Sequence, residues 1–173
     1  NQMNVTLHKL FGLAYIKEEL MEDARALETF VRYAFTEEIA FTVDDEVING
    51  NGTGRCLGIL NSPCLVTVSK EVGQAAATLT YTNIRKMWMR MVGRSRKSAV
   101  WFINQDTEDQ LNSMHMEIGT AGQAVFMPGG GASEAPYSTL FRRPIVPIEQ
   151  CASLGTVGDV ILADMSQYLL ADK

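Results

Sequence analysis

An α+β fold follows from three features of this sequence. A helical apolar periodicity runs from Glu18 to Asn49, long for a single helix. A dense glycine cluster, Asn49-Gly-Asn-Gly-Thr-Gly-Arg-Cys-Leu-Gly-Ile-Leu-Asn61, then demands a sharp change of direction. Beyond it, short strand-like runs alternate with short helical ones.

The elements follow in chain order. Val5, Leu7, Phe11, Leu13 and Tyr15 share one parity, broken by Lys9, and predict a strand or strand pair with one buried face. From Glu18 the period changes. Leu20, Ala24, Leu27, Val31 and Ala34 recur every three or four residues, and Phe35, Ile39 and Val43 continue a drifting stripe. Pro63–Ser69 reads as a short strand, and Gln74–Thr78 as a small-residue connector. A helix is expected from Thr80 or Thr82 to Met91, with Ile84, Met87, Trp88 and Met91 on one face and Gly93 as its stop. Ala99–Asn104 predicts a buried strand. Asp106 or Thr107 then caps a helix running to about Ile118. Gly119–Ser138, with Pro128-Gly-Gly-Gly131, reads as a long loop. Leu140–Gln150 is extended, and Pro144 and Pro147 place it at an edge or in an irregular strand. Gly155–Gly158 is a turn, Val160–Ala163 a strand, and Tyr168–Leu170 the start of another.

Composition narrows the function classes. The 173 residues suffice for one domain or two small ones, and 46% hydrophobic content supports a folded core. A net charge of -5 argues against a dedicated nucleic-acid binder, though not against a protein that merely surrounds nucleic acid. Cys56, Cys64 and Cys151 match no zinc or redox spacing and read as reduced thiols. His8 and His115 stand far apart, so no metal site is expected. No apolar run reaches membrane-spanning length, and no signal peptide is evident. The chain begins at Asn1 and reads as a piece of something longer.

The Gly50–Gly54 loop invites a phosphate-binding reading and departs from both motifs. Gly50 and Gly52 satisfy half of a dinucleotide fingerprint, but Arg55 occupies the third glycine position. No Gly-Lys pair exists for a P-loop. The segment before it reads as helix, not strand. Glu37, Glu38, Asp44, Asp45 and Glu46 point around a helix and suit a solvated or subunit-contacting face better than a catalytic pair. Arg85, Lys86, Arg90, Arg94, Arg96 and Lys97 form the one basic concentration. It could hold phosphate, but its place at a helix C-terminus favours dipole complementation and pairing between subunits. Asp106, Asp159 and Asp164 have the chemistry of catalytic carboxylates, yet capping and turn roles explain them more simply.

Taken in order, several segments resemble the major capsid proteins of tailed double-stranded DNA phages, the Hong Kong phage fold. The glycine cluster is similar to that family's N-G-x-G-T-G-x-P-x-G-I-L-N pattern. Met87–Asn104 resembles its helix and W-x-I-N strand. Arg143–Ile148 and Leu154–Asp164, on to Tyr168, resemble its closing segments. Cys56 stands where proline is common, which implies a softer turn.

The resemblance implies an α+β phage major capsid fold in two parts. Residues 1–59 would be a partial peripheral domain: a strand returning from the extended subunit-clasping loop, a spine helix and the glycine elbow. Residues 60–173 would be the axial domain. It further implies a structural protein, not an enzyme, that self-associates into pentamers and hexamers and encloses DNA without reading its sequence. Scaffold, portal or decoration proteins are the implied partners, with no membrane and no cofactor. The implied location is the virion capsid, assembled in the bacterial cytoplasm. The segments some members use for covalent cross-linking are not recognisable, so no catalytic residue carries over. Three other readings stay open: an encapsulin-like compartment shell, an enzyme holding a phosphate ligand on Gly50–Gly54, and a helical adaptor using the Met87/Met91 face.

Overall fold

A computed structural model of the chain describes residues 6–17, 24–118, 121–124 and 139–171. They divide into two compact units at Pro63/Cys64, with Ala171 counted in the first unit.

The first unit is built on helix α1, Ala24–Asn49. Its 26 residues span roughly 39 Å at the α-helical rise. The expected start at Glu18 lies outside the described residues, and the expected end at Asn49 is where the helix stops. Residues 6–17 form no ladder, so the strand predicted there is not present among the described residues. Alternation in a sequence makes a strand only where another edge supplies partners. Leu7, Phe11, Leu13 and Tyr15 are all exposed. Gly12 crosses α1 so closely that an added Cβ would stand 2.4 Å from the Phe35 ring.

The second unit packs helices against a four-stranded sheet. Helix α2 spans Tyr81–Arg90 and α3 spans Gln105–Ser113. The strands are β1 (Val100–Ile103), β2 (His115–Ile118), β3 (Ala121–Ala124), β4 (Thr139–Leu140), β5 (Arg143–Pro147) and β6 (Val160–Ala163). The larger sheet runs β4-β5-β1-β6, with β1 parallel to β5 and antiparallel to β6. Alternation along β1 sends Trp101 and Ile103 into the core. There they meet Ile84, Leu111, Met114, Leu140, Ile145 and Val160. The Trp101 indole N–H donates to the Leu140 carbonyl at 3.1 Å, which satisfies its one polar atom.

Capping explains where the helices begin and end. The Asn83 side chain accepts from the Thr80 N–H at 3.0 Å and from the Thr80 hydroxyl at 2.6 Å, closing the start of α2. At its other end Arg96 donates to the Met89 and Met91 carbonyls, supplying a cation to the negative pole. The cap of α3 is Asn104, not Asp106 or Thr107: its side chain accepts from the Asp106 N–H at 3.0 Å and donates to the Cys151 carbonyl at 2.8 Å.

Five other expectations are corrected. Helix α3 ends at Ser113 rather than Ile118, because His115–Ile118 pairs with Ala121–Ala124 as a two-stranded ribbon. Within the predicted loop 119–138, Ala121–Ala124 is therefore a strand, and the rest lies outside the described residues. Pro63–Ser69 is not a strand; its carbonyls at Thr67 and Ser69 accept from Arg90 and Asn83 instead. Strand β5 is interior, not an edge. Its prolines are tolerated because Pro144 faces Thr139 of the two-residue β4 and Pro147 is the last strand residue. Tyr168–Leu170 forms no strand; a 3-10 turn, Met165–Gln167, precedes it.

Candidate functional site

The glycine cluster closes on itself beneath the end of α1. Gly50 N–H still donates to the Glu46 carbonyl at 2.9 Å, as the last helical bond. The chain then reverses. Asn51 bridges Leu57, Gly52 N–H donates to the Cys56 carbonyl at 3.1 Å, and Gly58 N–H returns to the Gly50 carbonyl at 2.8 Å. Gly52 and Gly54 hold φ of 74° and 73°, the left-handed region that favours glycine. Gly50 and Gly58 are glycine for a different reason. A Cβ on Gly50 would lie 2.3 Å from the Cys56 carbonyl oxygen, and one on Gly58 would lie 2.5 Å from Gly50 N.

Side chains finish the closure. The Asn61 amide donates to the Asn49 carbonyl at 2.9 Å and the Gly50 carbonyl at 3.0 Å, satisfying acceptors that a helix end leaves orphaned. Thr53 N–H donates to the Asn51 side chain at 3.0 Å. Cys56 N–H makes a long 3.5 Å bond to the Glu46 carboxylate, a contact that proline at this position could not make. This contact ties the turn after Gly54 back to the helix.

This geometry does not suit a phosphate. A phosphate cradle needs backbone N–H groups converging on empty space, usually at a helix N-terminus. Here the N–H groups of Gly50, Gly52, Thr53, Cys56 and Gly58 are spent within the element. The loop also follows a helix C-terminus, the negative pole, with the Glu46 carboxylate turned into it. The Cys56 thiol is no nucleophile candidate either: burial, then the Glu46 charge, pushes it up from its ordinary value.

The other candidates are committed to structure. Of the basic residues, Lys86 pairs with Glu71 at 2.5 Å, Arg90 donates to Thr67, Arg94 to Gln167, and Arg96 lies over the Trp88 ring at 5.5 Å. Met87 packs against the core, which removes half of the proposed adaptor face. Asp159 ties the Gly155 turn, and Asp164 accepts from Ser166 in the 3-10 turn. Cys151 is buried, and its surroundings push the thiol up to about 12. Among the described residues no three His, Cys, Asp or Glu side chains group as a metal site, and no helix is long and apolar enough to cross a membrane.

The first unit is thus a long helix closed by a glycine elbow, and the second a mixed four-stranded sheet with its helices, together an α+β fold. The chain belongs to the phage capsid family, which it matches over residues 1–173. No curated protein matches the sequence. A solved chain described as the capsid of an empty GTA particle computed with C5 symmetry has a similar fold, with a TM-score of 0.60 at 16% identity. The match covers 85% of this chain and 53% of that one, so the chain spans about half the length of the solved capsid chain.

Proposed function

We propose that the protein is a major capsid subunit that self-assembles, through pentamers and hexamers, into an icosahedral shell enclosing phage DNA in the virion. In this reading the first unit, with its spine helix α1 and elbow, belongs to the peripheral domain, and the second is the axial domain gathered around the symmetry axes. The elbow sets the direction in which the chain leaves α1. DNA is enclosed without being read, in keeping with the net charge of -5.

One observation carries the reading beyond family membership. The first unit leaves large apolar side chains in water along both its parts: Phe11 and Tyr15 are 83% and 93% exposed, and Phe30 and Tyr33 of α1 are also open. Apolar surface of this extent calls for a partner, and copies of the same chain supply one in a closed shell.

Sedimentation of the full-length protein, followed by electron microscopy of the fast fraction, tests this. Closed particles of uniform size are expected. A stable small oligomer with no larger assembly refutes the proposal. The particle contents separate the encapsulin-like alternative: enclosed DNA supports the capsid reading, and an enclosed protein cargo in its place overturns it.

A further inference from the structure

Helix α1 carries a mixed aromatic and acidic stripe. Phe30, Tyr33, Glu37, Phe41 and Asp44 follow one another at intervals of three or four, so they share one helical face. The three aromatics are 68%, 64% and 47% exposed, and Glu37 and Asp44 are exposed as well. The Glu37 carboxylate stands beside the Tyr33 hydroxyl and pushes its pKa up, so ring and charge are presented together. Between Leu27 and Asn49 the single cation is Arg32, engaged with Glu28 at 2.8 Å. A surface of aromatic rings with interspersed carboxylates is suited to guanidinium groups, which take both a ring face and a charged hydrogen bond.

The second unit presents such groups. The β4–β5 hairpin turns on two residues, Phe141 and Arg142, with φ of 49° and 61°. Such turns normally use Asn-Gly, because both central residues must be left-handed. Phe141 is held by stacking on Trp88 at 5.5 Å and by Tyr81 at 6.3 Å. Arg142 is carried exposed at the tip in a conformation that costs an ordinary side chain stability. The Arg143 guanidinium donates to the Lys97 carbonyl, which sets this turn beside the 3-10 turn Ser95–Lys97. Lys97, Arg142 and Arg143 therefore gather from segments 46 residues apart. Asp164, on the segment Arg94 reaches through Gln167, has its carboxylate taken up by Ser166, Ser95 and Ser98.

We propose that the Arg142 turn of one copy docks on the Phe30–Asp44 stripe of α1 in a second copy, a head-to-tail contact that rests on the shell reading above. Such a contact uses different patches on the two copies, so it closes rings rather than stopping at a pair. The acidic balance of the chain favours this partner over nucleic acid, since each copy itself supplies the complementary surface.

Charge exchange in the full-length protein tests it. Glu37→Arg and Arg142→Glu should each lower particle yield by on the order of tenfold, with far-UV dichroism and thermal unfolding unchanged, and the combined variant should restore it. In a Cys64→Ser background, Glu37→Cys with Arg142→Cys should oxidise to a ladder of covalent multimers. Normal assembly of Arg142→Glu, a combined variant no better than the singles, or a disulfide closed within one chain would each overturn the proposal. Particles of Arg142→Glu that assemble normally but lose their DNA would assign the turn to nucleic acid instead. Failure of the unaltered protein to assemble is a different result, and it removes the shell reading itself.

Discussion

Gly58 and Gly54 separate two reasons for the glycine-rich elbow. At Gly58 the backbone is ordinary, with φ of -70°, but a Cβ would meet Gly50 N at 2.5 Å, the Ile48 carbonyl oxygen at 2.6 Å and the Ile48 carbonyl carbon at 2.8 Å. All three are backbone atoms, so no side chain can swing aside. Gly58→Ala must instead part the two chain segments. That breaks the 2.8 Å bond to the Gly50 carbonyl and the two bonds from Asn61. At about 1 kcal/mol each, three hydrogen bonds amount to ~3 kcal/mol. At Gly54 nothing lies within 4 Å, and only the φ of 73° resists substitution. Gly54→Ala should cost about 1–2 kcal/mol, and Gly54→Asn less, since asparagine tolerates the left-handed region. Chemical denaturation followed by far-UV dichroism measures all three. A Gly54→Ala variant as destabilised as Gly58→Ala would refute the division into close approach and left-handed turn.

Two further outcomes follow from the same geometry. A thiol reagent should modify exposed Cys64 in the folded protein, while buried Cys151, its thiol pushed up to about 12, should react only after unfolding; labelling read by mass spectrometry with and without denaturant checks the order. Asp164 accepts hydrogen bonds from Ser166 first and from Ser95 and Ser98, which hold its carboxyl below the ordinary 3.8 despite desolvation. A depressed carboxyl stabilises the fold above the unfolded-state value, and that contribution is lost as the pH falls through the folded value. Thermal stability should therefore fall as the pH drops below about 3.8. Asp164→Asn should show a shallower acid limb, and an unchanged limb would contradict the assignment.

Sequence patterning located the long helix end, α2, β1 and β6 because each carries its own local signal. The Ile84–Trp88 spacing, the Trp101/Ile103 alternation and the glycine stop after Asn49 need no distant partner to be recognised. The strands expected at Val5–Tyr15 and Pro63–Ser69 are absent among the described residues for the complementary reason: ladder partners are a tertiary fact. The interior place of β5 was hidden by its prolines, which are tolerated only because β4 is so short. At the elbow, the glycines were legible as turn residues. The role of Asn61 was not, since an amide capping a helix twelve residues upstream leaves no local trace. The Phe141–Arg142 turn was likewise invisible, because its residues are poor left-handed formers held there by stacking on Trp88.

A cryo-electron-microscopy reconstruction of particles from the full-length protein tests the shell assignment most directly. Icosahedral density is predicted, with residues 64–170 closest to the five-fold and six-fold axes and α1 lying outward from them within each ring. Discrete, non-closing oligomers, or a closed shell with α1 at the axes, would contradict it.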